Sequence, residues 1–82
     1  MRRSKIAVLG GGSWGTTTAS VISRQCDAVL WARDAQIVDQ INQHHTNCRY
    51  LADAVLHPKL TATTALKVAV ENADAVLIAV PS

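Results

Sequence analysis

Cysteine, net charge and long apolar runs are all scarce in this 82-residue sequence, and each scarcity excludes a class of protein. The two cysteines, Cys26 and Cys48, form no CxxC motif and are too few for a disulfide scaffold, which indicates a reducing, cytoplasmic setting. A formal net charge of +2 is too small and too scattered to indicate a nucleic-acid partner. No apolar run approaches the roughly 20 residues of a membrane span, and the basic start lacks the long apolar stretch of a secretory leader.

What is present is typical of a globular α/β domain, with 49% hydrophobic and 17% charged residues. Short apolar runs predict strands, and amphipathic stretches between them predict helices. The predicted strands cover residues 5–9, 28–31, 60–63 and 75–80, and the predicted helices cover residues 13–24, 35–43 and 65–72. Strands that alternate with helices predict a parallel sheet with helical crossovers, hence a doubly wound α/β fold.

Several local features of these elements follow from residue type. Apart from Lys5 at its start, the first strand is apolar, so we expect it to be buried on both faces. Asp34 is a suitable N-cap for the second helix, in which Ile37 and Ile41 lie one turn apart. Thr64 can cap the third helix, with Leu66 and Val70 facing inward. A polar stretch from His44 to Cys48, predicted to be solvated, ends the second helix, and Arg49 to Lys59 are predicted to form an irregular connection.

The turn after the first strand carries the clearest motif. Gly10, Gly12 and Gly15 occupy the three glycine places of G-x-G-x-x-G, between a predicted strand and a predicted helix. Gly10 permits a tight turn, Gly12 lets the backbone approach a pyrophosphate, and Gly15 allows close packing of the helix on the strand. Together with the element order, this motif predicts a Rossmann-type dinucleotide-binding domain.

Two residues inside the motif, Ser13 and Trp14, are candidates for cofactor contacts. Their backbone amides lie at the start of a helix, where free N–H groups and a partial positive charge favour phosphates. The Ser13 hydroxyl is a further candidate donor, with a helix N-cap as the alternative role. For Trp14 the alternative is a packing anchor against the neighbouring connection.

The end of the second strand bears on the choice of cofactor. An acidic residue there usually binds the ribose hydroxyls of NAD, whereas an arginine accommodates the 2′-phosphate of NADP. Because Asp34 is explained as a helix cap, Arg33 is free to bind a phosphate monoester, with a solvated surface arginine as the alternative. We therefore expect the cofactor to be NADP or NAD, with NADPH preferred.

Four segments of the chain resemble the N-terminal region of bacterial NAD(P)-dependent glycerol-3-phosphate dehydrogenase. They are the glycine turn with its Ser13-Trp14 pair, the segment Leu30 to Asp34, and the segments 47–51 and 73–82. The resemblance implies reversible reduction of dihydroxyacetone phosphate to sn-glycerol 3-phosphate for phospholipid synthesis. It also implies that Ser13, Trp14 and Arg33 hold the dinucleotide, with Tyr50 a weaker candidate.

The resemblance puts the catalytic lysines, the substrate-phosphate contacts and a helical substrate domain beyond residue 82. Lys59 and Lys67 match neither catalytic lysine, so residues 1–82 contain no predicted catalytic residue and should be inactive alone. One departure concerns the turn Gln25-Cys26-Asp27, which is a residue shorter than in the family and lacks its glycine. The sequence leaves open whether the full-length protein forms a homodimer.

Other functions remain open at the level of sequence. Ketopantoate reductases and hydroxyacid dehydrogenases share the same strand–glycine–helix start, and a non-catalytic dinucleotide sensor would use the same pocket. A methyltransferase that binds S-adenosylmethionine is disfavoured by Gly15, which serves dinucleotide packing. His44, His45, Cys48 and His57 match no zinc template, so we predict no metal site.

Overall fold

The computed structural model describes residues 3–10, 12–47 and 55–79, which form four strands and three helices in alternation. The elements in chain order are β1 (Lys5–Leu9), α1 (Ser13–Ile22), β2 (Asp27–Trp31), α2 (Ala35–His44), β3 (Thr61–Thr63), α3 (Leu66–Val70) and β4 (Ala75–Ile78). This is the predicted β-α-β-α-β-α-β order. Tyr50, Cys48 and Val80 lie outside the described residues, and so do the predictions made for them.

The four strands form one parallel sheet in the order β3-β2-β1-β4. β2 pairs with β1 so that Leu9 faces Trp31, and β4 pairs on the other side of β1 so that Leu9 faces Ile78. The chain therefore adds strands in one direction from β1 to β3 and then crosses back to β4. This reversal is the topological switch of a doubly wound sheet, and it lies between β1 and β4.

The core lies on both faces of the central strands, as the apolar composition of β1 predicts. Ala7 and Val8 are adjacent in β1 and point to opposite faces, yet both are 0% exposed. Leu30 of β2 and Ile41 of α2 are equally buried and belong to the same apolar cluster as Val8. Apolar burial on the two faces contributes most of the stability of such a domain.

The turn between α1 and β2, Gln25-Cys26-Asp27, lacks the glycine that the family pattern has at this place. α1 ends at Ile22, two residues earlier than predicted, with its C-cap Ser23 in right-handed helical geometry. Because this geometry needs no positive φ, no glycine is required. The side chain of Arg3 then donates to the carbonyl oxygens of Ser23, at 3.1 Å, and Cys26, at 2.9 Å, which satisfies polar groups that the helix end leaves free.

α2 begins as predicted. The Asp34 carboxylate accepts a hydrogen bond of 2.8 Å from the Gln36 amide, which confirms Asp34 as the N-cap. Ile37 and Ile41 are both buried. The helix extends one residue further than predicted, to His44, and ends at His45 in the left-handed conformation with φ 56°.

The prediction for α3 was wrong in its bounds, its cap and its buried face. The helix covers only Leu66–Val70, and its N-cap is Ala65, which has no side chain able to cap. The Thr63 hydroxyl, and not Thr64, accepts from the Ala65 amide, at 3.0 Å. Ala69 is the fully buried residue, whereas Leu66 is 47% exposed and Val70 is only partly buried.

β4 is an edge strand in the described part of the chain, although its composition is as apolar as that of β1. Val76, Leu77 and Ile78 are all exposed, Ile78 to 68%. Along the described ranges, no helix combines the length and the apolar composition that crossing a membrane would require.

Candidate dinucleotide site

The glycine turn lies at the carboxyl edge of the sheet, beside the switch between β1 and β4. The Gly10 amide donates to the carbonyl oxygen of Trp31, at 2.9 Å, and the Ala79 amide donates to that of Leu9, also at 2.9 Å. The ends of β2, β1 and β4 are thus hydrogen-bonded to each other around the turn. Open α/β sheets bind their ligands at this place.

Gly10 and Gly15 are both required by close packing. Gly10 has φ +126°, which L side chains rarely adopt, and a Cβ there would collide with the carbonyl oxygen of Ala79. A Cβ on Gly15 would collide with the carbonyl oxygen of Gly10 and lie 2.9 Å from the Cβ of Ala79. This close packing agrees with the roles predicted for the two glycines, and it adds Ala79, the residue that follows β4.

Gly12 differs from the other two glycines because its side-chain position faces open space. It has φ −73° and ψ −177°, and a Cβ there would meet nothing within 4 Å. Gly12 is also the N-cap of α1, and its carbonyl oxygen accepts the first intrahelical bond from the Thr16 amide, at 2.9 Å. The absence of a side chain therefore leaves room directly in front of the helix.

The start of α1 has the electrostatics of an anion site. No side chain caps the helix and no acidic residue lies in its first turn. The first amides of a helix have no intrahelical acceptor, and they carry the positive end of the helix dipole. Open space at Gly12 in front of these amides fits a diphosphate.

Ser13 and Trp14 are the first two residues of α1, and both side chains are exposed. Ser13 is not the N-cap, because Gly12 occupies that position. The indole of Trp14 is 63% exposed, so it is accessible beside the glycine turn. The connection against which it was expected to pack includes residues 48–54, outside the described part of the chain.

Arg33 follows β2 at the same edge of the sheet as the glycine turn, because β1 and β2 are parallel and in register. The side chain is exposed and makes no hydrogen bond or ion pair with any residue that the structure describes. Its neighbour Asp34 is engaged as the cap of α2. The pair therefore offers an available guanidinium, not a carboxylate, to a ligand at this edge.

One contact near the site was not expected from the sequence. The Asn47 side-chain amide donates to the Thr16 hydroxyl at 3.0 Å, and both residues are 0% exposed. Asn47 belongs to the stretch predicted to be solvated, so that prediction was wrong at this position. A local pattern carries no signal for it, because the two residues are 31 apart in the chain.

Within residues 3–10, 12–47 and 55–79, no group of three or more potential ligands is placed to hold a metal ion.

The parallel sheet, its switch point and the glycine turn define this protein as a Rossmann-type α/β domain. Residues 5–82 match the family described as NAD-dependent glycerol-3-phosphate dehydrogenase N-terminus. The chain therefore belongs to this family, as the resemblance of its glycine turn and second strand had indicated.

Individual relatives agree with this assignment. The chain is 50% identical over 80 residues to a glycerol-3-phosphate dehydrogenase [NAD(P)+] from Sphingopyxis alaskensis, covering 98% of the chain and 24% of the relative. It superposes on the crystal structure of glycerol-3-phosphate dehydrogenase from Coxiella burnetii with TM-score 0.84 and 38% identity, covering 98% and 25% of the two chains. A glycerol-3-phosphate dehydrogenase structure from Plasmodium falciparum gives TM-score 0.88 and 27% identity, with the same coverage. The chain spans about a quarter of the length of these relatives.

Proposed function

We propose that this chain is the dinucleotide-binding part of an NAD(P)-dependent glycerol-3-phosphate dehydrogenase, and that the intact protein reversibly reduces dihydroxyacetone phosphate to sn-glycerol 3-phosphate. The observation that carries this proposal is the open, uncapped start of α1 behind Gly12. The names of the matched relatives favour a three-carbon phosphate substrate over ketopantoate or another hydroxyacid.

Each site residue has a defined part in binding the cofactor. The amides of Ser13 and Trp14 donate to the diphosphate, and Gly12 keeps the approach clear. The Trp14 indole covers one side of the bound molecule, and Arg33 binds the 2′-phosphate when the cofactor is NADP. When bound, the nicotinamide ring supplies the hydride to the substrate carbonyl or accepts it in the reverse direction.

The catalytic groups and the substrate domain belong to the part of the protein that follows residue 82. Lys59 lies just before β3, at the amino edge of the parallel sheet and thus opposite the glycine turn, so it is excluded as a group at the nicotinamide. Residues 1–82 form the N-terminal part of the dinucleotide-binding domain. The cellular location is a separate part of the proposal. A cytoplasmic location is supported by the low cysteine content and by the free thiol of Cys26.

The reaction is tested with the intact protein by following the absorbance of NADPH. We expect oxidation of NADPH with dihydroxyacetone phosphate and none with ketopantoate, because the family resemblance rests on the segments that include Ser13, Trp14 and Arg33. Turnover with ketopantoate and none with dihydroxyacetone phosphate would overturn the proposed substrate.

The choice of cofactor is tested separately with Arg33→Ala. Losing a charged hydrogen-bond partner of a phosphate costs about 1.5–3 kcal/mol, so the KM for NADPH should rise roughly 10- to 100-fold while the KM for NADH changes little. Arg24→Ala is a matched control, because Arg24 is also exposed but follows α1, at the far edge of the sheet. An equal rise for both cofactors in the Arg33 variant would show that Arg33 does not bind the 2′-phosphate.

A further inference from the structure

We propose that Asn47 is a positioning residue for the cofactor, which acts through Thr16 to hold the first turn of α1 in place. The inference rests on the proposed function, since it concerns the same diphosphate site. It adds a residue that lies outside the glycine motif and has no direct access to a ligand.

The contact is a buried hydrogen bond between two distant parts of the chain. The Asn47 side-chain amide donates to the Thr16 hydroxyl at 3.0 Å, and neither residue has any exposed surface. Such a bond holds buried polar groups strongly, because breaking it leaves a buried polar atom with neither a protein nor a water partner. Asn47 therefore fixes where the Thr16 side chain lies.

Thr16 is well placed to transmit this constraint to the site. Its amide closes the first turn of α1 by donating to the carbonyl oxygen of Gly12, at 2.9 Å. Ser13 and Trp14 between them are exposed and Gly15 has no side chain, so Thr16 carries the first buried side chain of the helix.

Two kinds of interaction thus hold the first turn of α1: close packing at Gly15 and a hydrogen bond at Thr16. Gly15 packs so closely on Gly10 and Ala79 that a Cβ there would collide with them, whereas Thr16 is held by the hydrogen bond from Asn47. A site binds tightly when its donors are already held in the bound geometry by surrounding contacts. Removing the Asn47–Thr16 bond should loosen the amides of Ser13 and Trp14 before the cofactor arrives.

A second bond links the same connection to α1 and provides a matched control. The His57 amide donates to the Ser20 hydroxyl at 2.9 Å, one helical turn further from the glycines than Thr16. Both bonds tie a residue that follows α2 to α1, but only the bond from Asn47 to Thr16 involves the first turn of α1, where the diphosphate is proposed to bind. Ser20→Ala therefore removes a comparable link without touching the site.

The experiment uses the intact protein with Thr16→Val, Thr16→Ser, Asn47→Ala, the double variant Thr16→Val/Asn47→Ala, and Ser20→Ala. For each, Kd is measured for NADPH and NADH by equilibrium titration, and Tm by thermal unfolding. Thr16→Val keeps the shape of the side chain and removes the hydroxyl, while Thr16→Ser keeps the hydroxyl. If Asn47→Ala does not fold, the comparison of Thr16→Val with Thr16→Ser still shows whether the hydrogen bond affects dinucleotide binding.

We expect Thr16→Val and Asn47→Ala to raise Kd roughly tenfold for both dinucleotides alike, as the loss of one buried hydrogen bond allows. The double variant should be no worse than either single variant, because both remove the same interaction. Thr16→Ser should bind like the wild type. Ser20→Ala should lower Tm by a similar amount and leave Kd within about twofold, since its bond lies away from the site.

If the wild type binds both dinucleotides, the proposed function stands, and two results would still overturn the inference. One is an unchanged Kd in the Thr16→Val and Asn47→Ala variants. The other is a loss of affinity in Ser20→Ala equal to the loss in those variants. A wild-type protein that binds neither dinucleotide would overturn the proposed function itself, and this inference with it.

Discussion

At the scale of single residues, the three glycines of the turn have different physical roles. Gly10 and Gly15 are surrounded by backbone and by Ala79, so a side chain at either position has no space within the folded protein. Gly12 has ordinary backbone angles, and a Cβ added there would meet nothing within 4 Å. Two glycines thus serve the fold, and the third leaves the space in which, under the proposed function, the diphosphate binds.

This difference predicts opposite effects for two similar substitutions in the intact protein. Gly15→Ala should lower the free energy of unfolding by about 1–3 kcal/mol, because the new methyl group overpacks the contact with Gly10 and Ala79. Gly12→Ala should change stability by less than about 1 kcal/mol, because alanine adopts these backbone angles without strain but is a poorer N-cap than glycine, so the two effects offset each other. Its methyl group should nevertheless weaken dinucleotide binding by a factor on the order of ten.

Urea unfolding and equilibrium titration with NADPH measure the two quantities independently. The roles assigned to the glycines would be wrong if Gly12→Ala bound NADPH as tightly as the wild type, or if Gly15→Ala were as stable.

At the scale of elements, helices with strong local signals are predictable and short ones are not. Asp34 and the spacing of Ile37 and Ile41 predict α2, its cap and its buried face from sequence alone. α3 has five residues, of which only Lys67 is polar, so periodicity cannot select its inward face. Ala69 is buried there because α3 packs against the sheet, and a small side chain permits a close approach.

The candidate site divides in the same way. The glycine motif and Arg33 were predictable, because strand, turn and helix follow one another directly in the chain. The contacts of Ala79 with the glycines and of Asn47 with Thr16 were not, since they join segments that only the folded sheet brings together.

At the scale of the whole molecule, the parallel sheet with strand order β3-β2-β1-β4 explains why the site residues lie at one edge. The parallel strands end at one edge of the sheet, so that edge carries the glycine turn after β1, Arg33 after β2 and Ala79 after β4. The apolar side chains of β4 are exposed. The chain also spans only about a quarter of the length of its relatives. The functional tests therefore require the intact protein.

The central claim is that the backbone from Gly12 to Gly15, at the head of α1, binds the diphosphate of NADPH or NADH. The most direct measurement is titration of the isotope-labelled intact protein with each dinucleotide, followed by the NMR shifts of the backbone amides. We predict that the amide signals of Gly12, Ser13, Trp14 and Gly15 shift with both cofactors, because the diphosphate is common to the two. Unchanged signals for these four amides at saturating NADPH and NADH would contradict the claim.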